Sequence, residues 1–155
     1  MRGDRKESPC TNLRQDSENV AIDLAAFCYS SRMSYVYFNP NPLGKRVGDC
    51  VIRAVGKLTE QDWQSTYMEI AMAGFELCDM PSSNSVWAAY LKRKGYRRRV
   101  IPDTCPNCYT VRDFCRDNPH GKYLLATGSH VVTVVDGDYY DAWDSGDEVP
   151  IYYWE

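Results

Sequence analysis

Long apolar runs are missing from this 155-residue sequence. No stretch approaches the roughly 18 consecutive apolar residues that a membrane-spanning helix needs, so no membrane association is expected. Residues 1–30 also lack the charged-then-apolar order of a secretory signal, which makes the cytoplasm the expected location. An excess of basic charge is absent too. The formal net charge is -3 and the isoelectric point is near 5.4, so the chain as a whole does not attract phosphate and no nucleic-acid partner is expected. There is no paired cysteine framework: the seven cysteines are odd in number and scattered, as suits a reducing compartment rather than a disulfide-stapled scaffold. Internal repeats and low-complexity segments are lacking as well. Histidine is scarce, with two in the chain, and any imidazole chemistry must use one of them.

What remains is the composition of a globular domain. Hydrophobic residues make up 44% and charged residues 25%, which excludes disorder for most of the chain, and the length suits one domain. Residues 1–32 read as an extension of unassigned role, with one short apolar stretch, Val20 to Cys28, able to form a turn or two of helix. The compact domain is expected over 33–155, opening with the β-like run Ser34-Tyr35-Val36-Tyr37-Phe38 after Met33.

Asn39-Pro40-Asn41-Pro42-Leu43-Gly44 is turn-rich, because each Asn-Pro step disfavours helix before the proline. Beyond it, Val51, Ile52, Val55 and Leu58 recur at helical spacing, and Asp49 suits the N-cap position, so Cys50 opens a helix. Thr59-Glu60-Gln61-Asp62 resembles a capping box for a second helix with Trp63, Tyr67, Ile70 and Ala71 on its buried face. A third is expected from Ser83–Ser85 to Gly95, burying Val86, Trp87, Tyr90 and Leu91, and a fourth from Thr110 through Cys115. Strands are expected at Tyr96–Ile101 and, in the β-branched and aromatic C-terminal part, at Tyr123–Thr127, His130–Val135, Asp138–Ala142 and Ile151–Trp154. Asp136-Gly137 is a tight-hairpin signal. The expected class is α+β, with N-terminal helices packed on a C-terminal antiparallel sheet.

Cys50 carries the chemistry of this pattern. A helix N-terminus lowers a thiol's pKa through its unpaired N–H groups, and the same groups stabilise an oxyanion. His130, at the start of a strand beside a hairpin partner, is placed to serve as base. Its tautomer needs an acceptor, and the returning strand offers Asp141 and Asp144. If Val135 pairs with Asp138, Asp141 opposes Val132 on the face of His130, whereas Asp144 lies past the strand end.

Gly48-Asp49-Cys50-Val51-Ile52-Arg53-Ala54, Ser129-His130-Val131-Val132 and Asp136-Gly137 through Ser145 together resemble the papain-like cysteine peptidases. They are most similar to the small bacterial and phage-borne domains with a Gly-Asp-Cys helix start and an Asp-x-Trp-Asp strand after the histidine. The resemblance covers roughly residues 37 to 154. It implies a papain-like fold and a Cys-His-Asp triad cleaving a peptide or isopeptide bond of a protein or peptide substrate without a cofactor. By that comparison Asp144 is the preferred third member, against the register argument for Asp141. The family's oxyanion amide precedes the Cys helix. No Gln stands there, which leaves Asn41 as the candidate ahead of Asn39. An acyl transferase on the same triad, or an inactive interaction module, would share these residues.

Two further clusters compete with this reading. Cys105-Pro106-Asn107-Cys108 with Cys115 and His120 has the donor types of a Cys₃His zinc site, although the second C-x-x-C half is missing. Lys92, Arg93, Lys94, Arg97, Arg98 and Arg99 form a basic run, most simply a solvated face at a helix C-terminus.

Overall fold

A computed structural model describes residues 33–102 and 105–155. The expectations for residues 1–32, including the apolar stretch Val20 to Cys28, lie outside the described residues. Four helices and a six-stranded sheet make an α+β fold: β1 (Tyr35–Tyr37), α1 (Cys50–Thr59), α2 (Trp63–Leu77), α3 (Asn84–Arg93), β2 (Arg98–Val100), α4 (Val111–Asp117), β3 (Lys122–Ala126), β4 (Val131–Val135), β5 (Asp138–Asp141) and β6 (Tyr152–Trp154). The strand order is β1-β5-β4-β3-β6-β2.

The expected antiparallel sheet needs a correction. β3, β4, β5, β6 and β2 pair antiparallel, but β1 joins the edge parallel to β5, with Tyr35 opposite Tyr139 and Tyr37 opposite Asp141. A parallel partner from the far end of the chain leaves no local sequence signal. The hairpin is as expected: Val135 pairs with Asp138, and Asp136 and Gly137 take φ of 49° and 83°, the two left-handed positions of a type I′ turn.

Alternation along the strands sends side chains to two cores. Leu124, Ala126, Val131 and Trp154 pack with α1, α2 and α3 residues, while Leu125, Val132, Val134 and Tyr139 pack with Val111, Phe114 and Cys115 of α4. The sheet is therefore covered on both faces. α1 is the most deeply seated helix; Val55 and Leu58 are almost wholly buried, each stabilising the fold by about 1.5–3 kcal/mol. The buried Thr133 hydroxyl of β4 donates to the Ala54 carbonyl of α1 at 2.6 Å, fixing that helix to the strand that follows His130.

The α2 start also differs from expectation. Thr59 closes α1, and Asp62 alone caps α2, accepting from the Ser65 N–H at 2.9 Å. Its buried face is Thr66, Ile70, Ala73 and Gly74, with Tyr67 exposed. α3 buries the four expected residues, and Thr110 and Asp113 form a full capping box on α4. In the basic run, Arg93 pairs with Glu76, Lys94 with Glu69 and Arg99 with Glu155, and Arg98 stacks on Tyr152. Charges on β2, an edge strand, also discourage pairing with another chain.

Candidate active site

Cys50 is the first residue of α1 and is partly buried, packed against the core below it. Asp49 occupies the N-cap position but makes no side-chain cap. Its Oδ1 accepts from Arg53 and its Oδ2 from the Trp63 indole N–H at 2.8 Å. The carboxylate thus turns away from the helix start, and the first-turn N–H groups of α1 have no side-chain cap.

His130 precedes β4. Its backbone is held by Thr127, whose N–H donates to the His130 carbonyl at 2.9 Å and whose hydroxyl accepts the His130 N–H at 3.2 Å. The imidazole Nε2 lies 2.5 Å from Asp141 Oδ2. With Nε2 engaged, Nδ1 is the nitrogen left for Cys50. Trp143 covers the imidazole, its ring 5.2 Å from that of His130. The His130 side chain is 12% exposed and that of Asp141 only 2%.

The electrostatics match a thiolate–imidazolium pair. Burial pushes the Cys50 thiol up, but the hydrogen bond and charge of His130, the Val131 N–H and the charge of Arg53 outweigh it and hold the thiol below its ordinary value. Burial likewise opposes the charge on His130, yet hydrogen bonds to Asp141 and Cys50 and their negative charges raise it to about 9. Burial would also push the Asp141 carboxyl up, but His130, Ser145 and the Ala142 N–H bring it below the usual carboxylate range.

Asp141, rather than Asp144, stands beside His130, which corrects the preference drawn from the resemblance. The hairpin register runs Val134–Tyr139 and Thr133–Tyr140, so the next step brings Asp141 alongside Val132, near the imidazole. Asp144 sits beyond the strand end, where Arg112 holds both its oxygens at 2.9 Å and the Tyr139 hydroxyl donates to it at 2.5 Å.

The Asn39 and Asn41 side chains are tied into the loop ahead of α1. Asn41 Oδ1 accepts from the N–H groups of Leu43 and Lys45, and Asn39 donates to the carbonyls of Gly44 and Lys45. Both close the 39–45 loop; the Asn39 Nδ2 donors are taken by the two carbonyls, whereas the Asn41 contacts engage Oδ1 and not the Nδ2 that the expected oxyanion role would use. The backbone N–H groups of the α1 start are the donors in place.

The alternative zinc site is not assembled. Among the described residues, no group of three or more His, Cys, Asp or Glu side chains is placed to hold a metal. Cys105, Cys108 and His120 are exposed, while Cys115 faces the α4 core, where burial and the charge of Asp138 push its thiol up to about 12. A ligand thiolate requires the opposite environment.

Sequence reasoning missed four contributors to the site. Arg53, buried on α1, reaches Asp141 Oδ1 at 3.1 Å. Ser145 donates to Asp141 Oδ2 at 2.7 Å. Trp63 anchors Asp49. β1 holds the Asp141 carbonyl, which accepts from the Phe38 N–H at 2.7 Å and from the Tyr35 hydroxyl at 3.3 Å. Only the Asp49–Arg53 pair, at i,i+4 spacing on a helix, had a readable signal. Compared with protein-family models, with curated proteins and with solved structures, the chain matches none.

Proposed function

We propose that this protein is a papain-like cysteine hydrolase, a peptidase or isopeptidase acting on a protein or peptide substrate. The observation that carries the reading is the chain Cys50, His130, Asp141, with the thiol at an uncapped helix start and the carboxylate 2.5 Å from the imidazole. Nucleophile, base and orienter stand in the order that acyl transfer needs.

In this mechanism the Cys50 thiolate attacks the substrate carbonyl carbon and the carbonyl electron pair moves to oxygen. Backbone N–H groups at the α1 start hold the oxyanion. When the oxyanion collapses, the C–N bond breaks, His130 passes its proton to the departing amine and a thioester remains on Cys50. Neutral His130 then takes a proton from water as its oxygen attacks the thioester; collapse expels the thiolate, and His130 is again imidazolium. Asp141 keeps Nδ1 directed at the sulfur throughout. An amine in place of water would make the same site an acyl transferase. The scattered, odd-numbered thiols suit a reducing compartment, and the cytoplasm is the setting we propose; among the described residues, no helix is long and apolar enough to cross a membrane.

A non-catalytic interaction module is the competing reading, favoured by the exposure of Met68, Met72 and Phe75 along α2. Limiting iodoacetamide, applied over a pH series with mass-spectrometric mapping, separates the two. The hydrolase reading expects Cys50 to be alkylated first at mildly acidic pH and to lose that preference in His130→Ala. A Cys50 no more reactive than the other cysteines would leave the module reading in its place.

A further inference from the structure

Arg53 is an unusual residue for its position. It lies on the inner face of α1 among Ile52, Ala54 and Val55, and is itself only 7% exposed. A buried guanidinium is costly unless its partners are fixed, so an apolar residue would serve packing alone as well or better. Its two ends meet two carboxylates: one arm pairs with Asp49, next to the nucleophile, and Nη2 reaches Asp141 at 3.1 Å.

Each contact has a consequence for the site. An aspartate at the N-cap ordinarily accepts from the N2 or N3 N–H. Here that cap would set a negative charge where the oxyanion develops and against the thiolate. Arg53 and the Trp63 indole each engage one Asp49 oxygen, and the cap is not made. On the other side, Arg53 takes Asp141 Oδ1, leaving Oδ2 for His130 and Ser145. The connections form a closed ring, from Cys50 through its neighbour Asp49, then Arg53, Asp141 and His130, back to the sulfur.

We infer that Arg53 is a positioning residue of the hydrolase site, holding Asp49 off the helix start so that the N–H groups beside Cys50 stay open, and holding Asp141 on His130. The inference rests on the thiol-hydrolase reading. It requires a planar fork: a lysine, with one ammonium on a flexible stem, holds one carboxylate and releases the other.

The test is the pH profile of Cys50 alkylation by iodoacetamide in the full chain, for wild type, Arg53→Lys, Arg53→Met, Asp49→Asn, both double variants and His130→Ala, with thermal unfolding to verify folding. In Arg53→Lys the alkylation midpoint should rise by about one pH unit, roughly a tenfold loss of rate below the midpoint. Adding Asp49→Asn should restore at least half of that shift, since no anion remains to swing onto the helix start; a purely structural defect would not be rescued. Should Arg53→Met fail to fold, the two lysine variants decide alone. A profile of Arg53→Lys that overlays the wild type, or a shift that Asp49→Asn does not reverse, overturns the inference. If His130→Ala leaves Cys50 as reactive as before, the hydrolase reading itself fails; if it silences Cys50 while the Arg53 variants do not respond, only the role of Arg53 falls.

Discussion

Asp141, the last residue of β5, and Asp144, just beyond it, differ by three positions and by almost everything else. Asp141 is buried and shared among His130, Ser145, Arg53 and the Ala142 N–H, whereas the Asp144 side chain is 48% exposed and tied to Arg112. Asp141 is one of the groups that raise the His130 pKa, so neutralising it lowers that pKa and weakens the imidazolium that favours the Cys50 thiolate. Asp141→Asn should therefore move the alkaline limb of a pH–rate profile from about 9 toward neutrality and move the Cys50 limb upward, narrowing the active window from both sides. Asp144→Asn should leave both limbs in place. Its pairing with Arg112 is largely solvated and contributes at most about 1 kcal/mol to stability. Profiles of alkylation or peptide hydrolysis that respond to Asp144 and not Asp141 would reverse the assignment.

Among the elements, the contact that aligns the site is the one between α1 and β4, since Cys50 starts the first and His130 immediately precedes the second. Thr133→Val removes the hydroxyl bonded to the Ala54 carbonyl at nearly constant volume; it should lower stability by about 1 kcal/mol in denaturant titration, with little change in the slope of the transition. An unchanged midpoint would mean that apolar packing alone fixes α1. At this scale the sequence was readable wherever the signal was local. The spacing of Val51, Ile52, Val55 and Leu58, the Thr110–Asp113 box and the Asp136-Gly137 turn each act within a few residues, and the hairpin register then led to Asp141. Long-range features were hidden. Nothing local marks Tyr35–Tyr37 as the parallel partner of β5, and a charged residue such as Arg53 reads as surface until the two carboxylates that draw it inward are known. Cys105-Pro106-Asn107-Cys108 shows the limit of spacing alone: it mimics part of a ligand set, but Cys115 is turned into the α4 core.

For the whole molecule, the thiol and imidazole make opposite demands on stability. His130 ionises at about 9 in the fold against an ordinary 6.5, so its contribution is full below pH 6.5 and is lost as pH rises through 9. Cys50 is held below its ordinary 9.0, so its contribution is full above pH 9 and is lost as pH falls through its lowered value. While the pair is ionic, folded and unfolded chains each carry one proton on it between 6.5 and 9, and the pair adds little slope to stability there. Cys50→Ser removes the thiolate but keeps Asp141 beside the histidine. The melting temperature of that variant should fall relative to wild type as pH rises from 6.5 to 9. A constant difference across that range would mean that the ionic pair is not the state present.

The parallel union of β1 with β5 also gives the protein a sequence of events during its synthesis. Ser34 is bonded to Asp138 across 104 residues, so the strand that leaves the ribosome first among the described elements has to wait for one of the last before it can join the sheet. The nucleophile's helix emerges in the same interval, long before the histidine and the aspartate that sharpen it. Until the stretch from 130 to 145 has been translated, the nascent chain therefore carries Cys50 as an ordinary thiol. Closure of the sheet is the step that brings His130 and Asp141 together beside the start of the Cys50 helix.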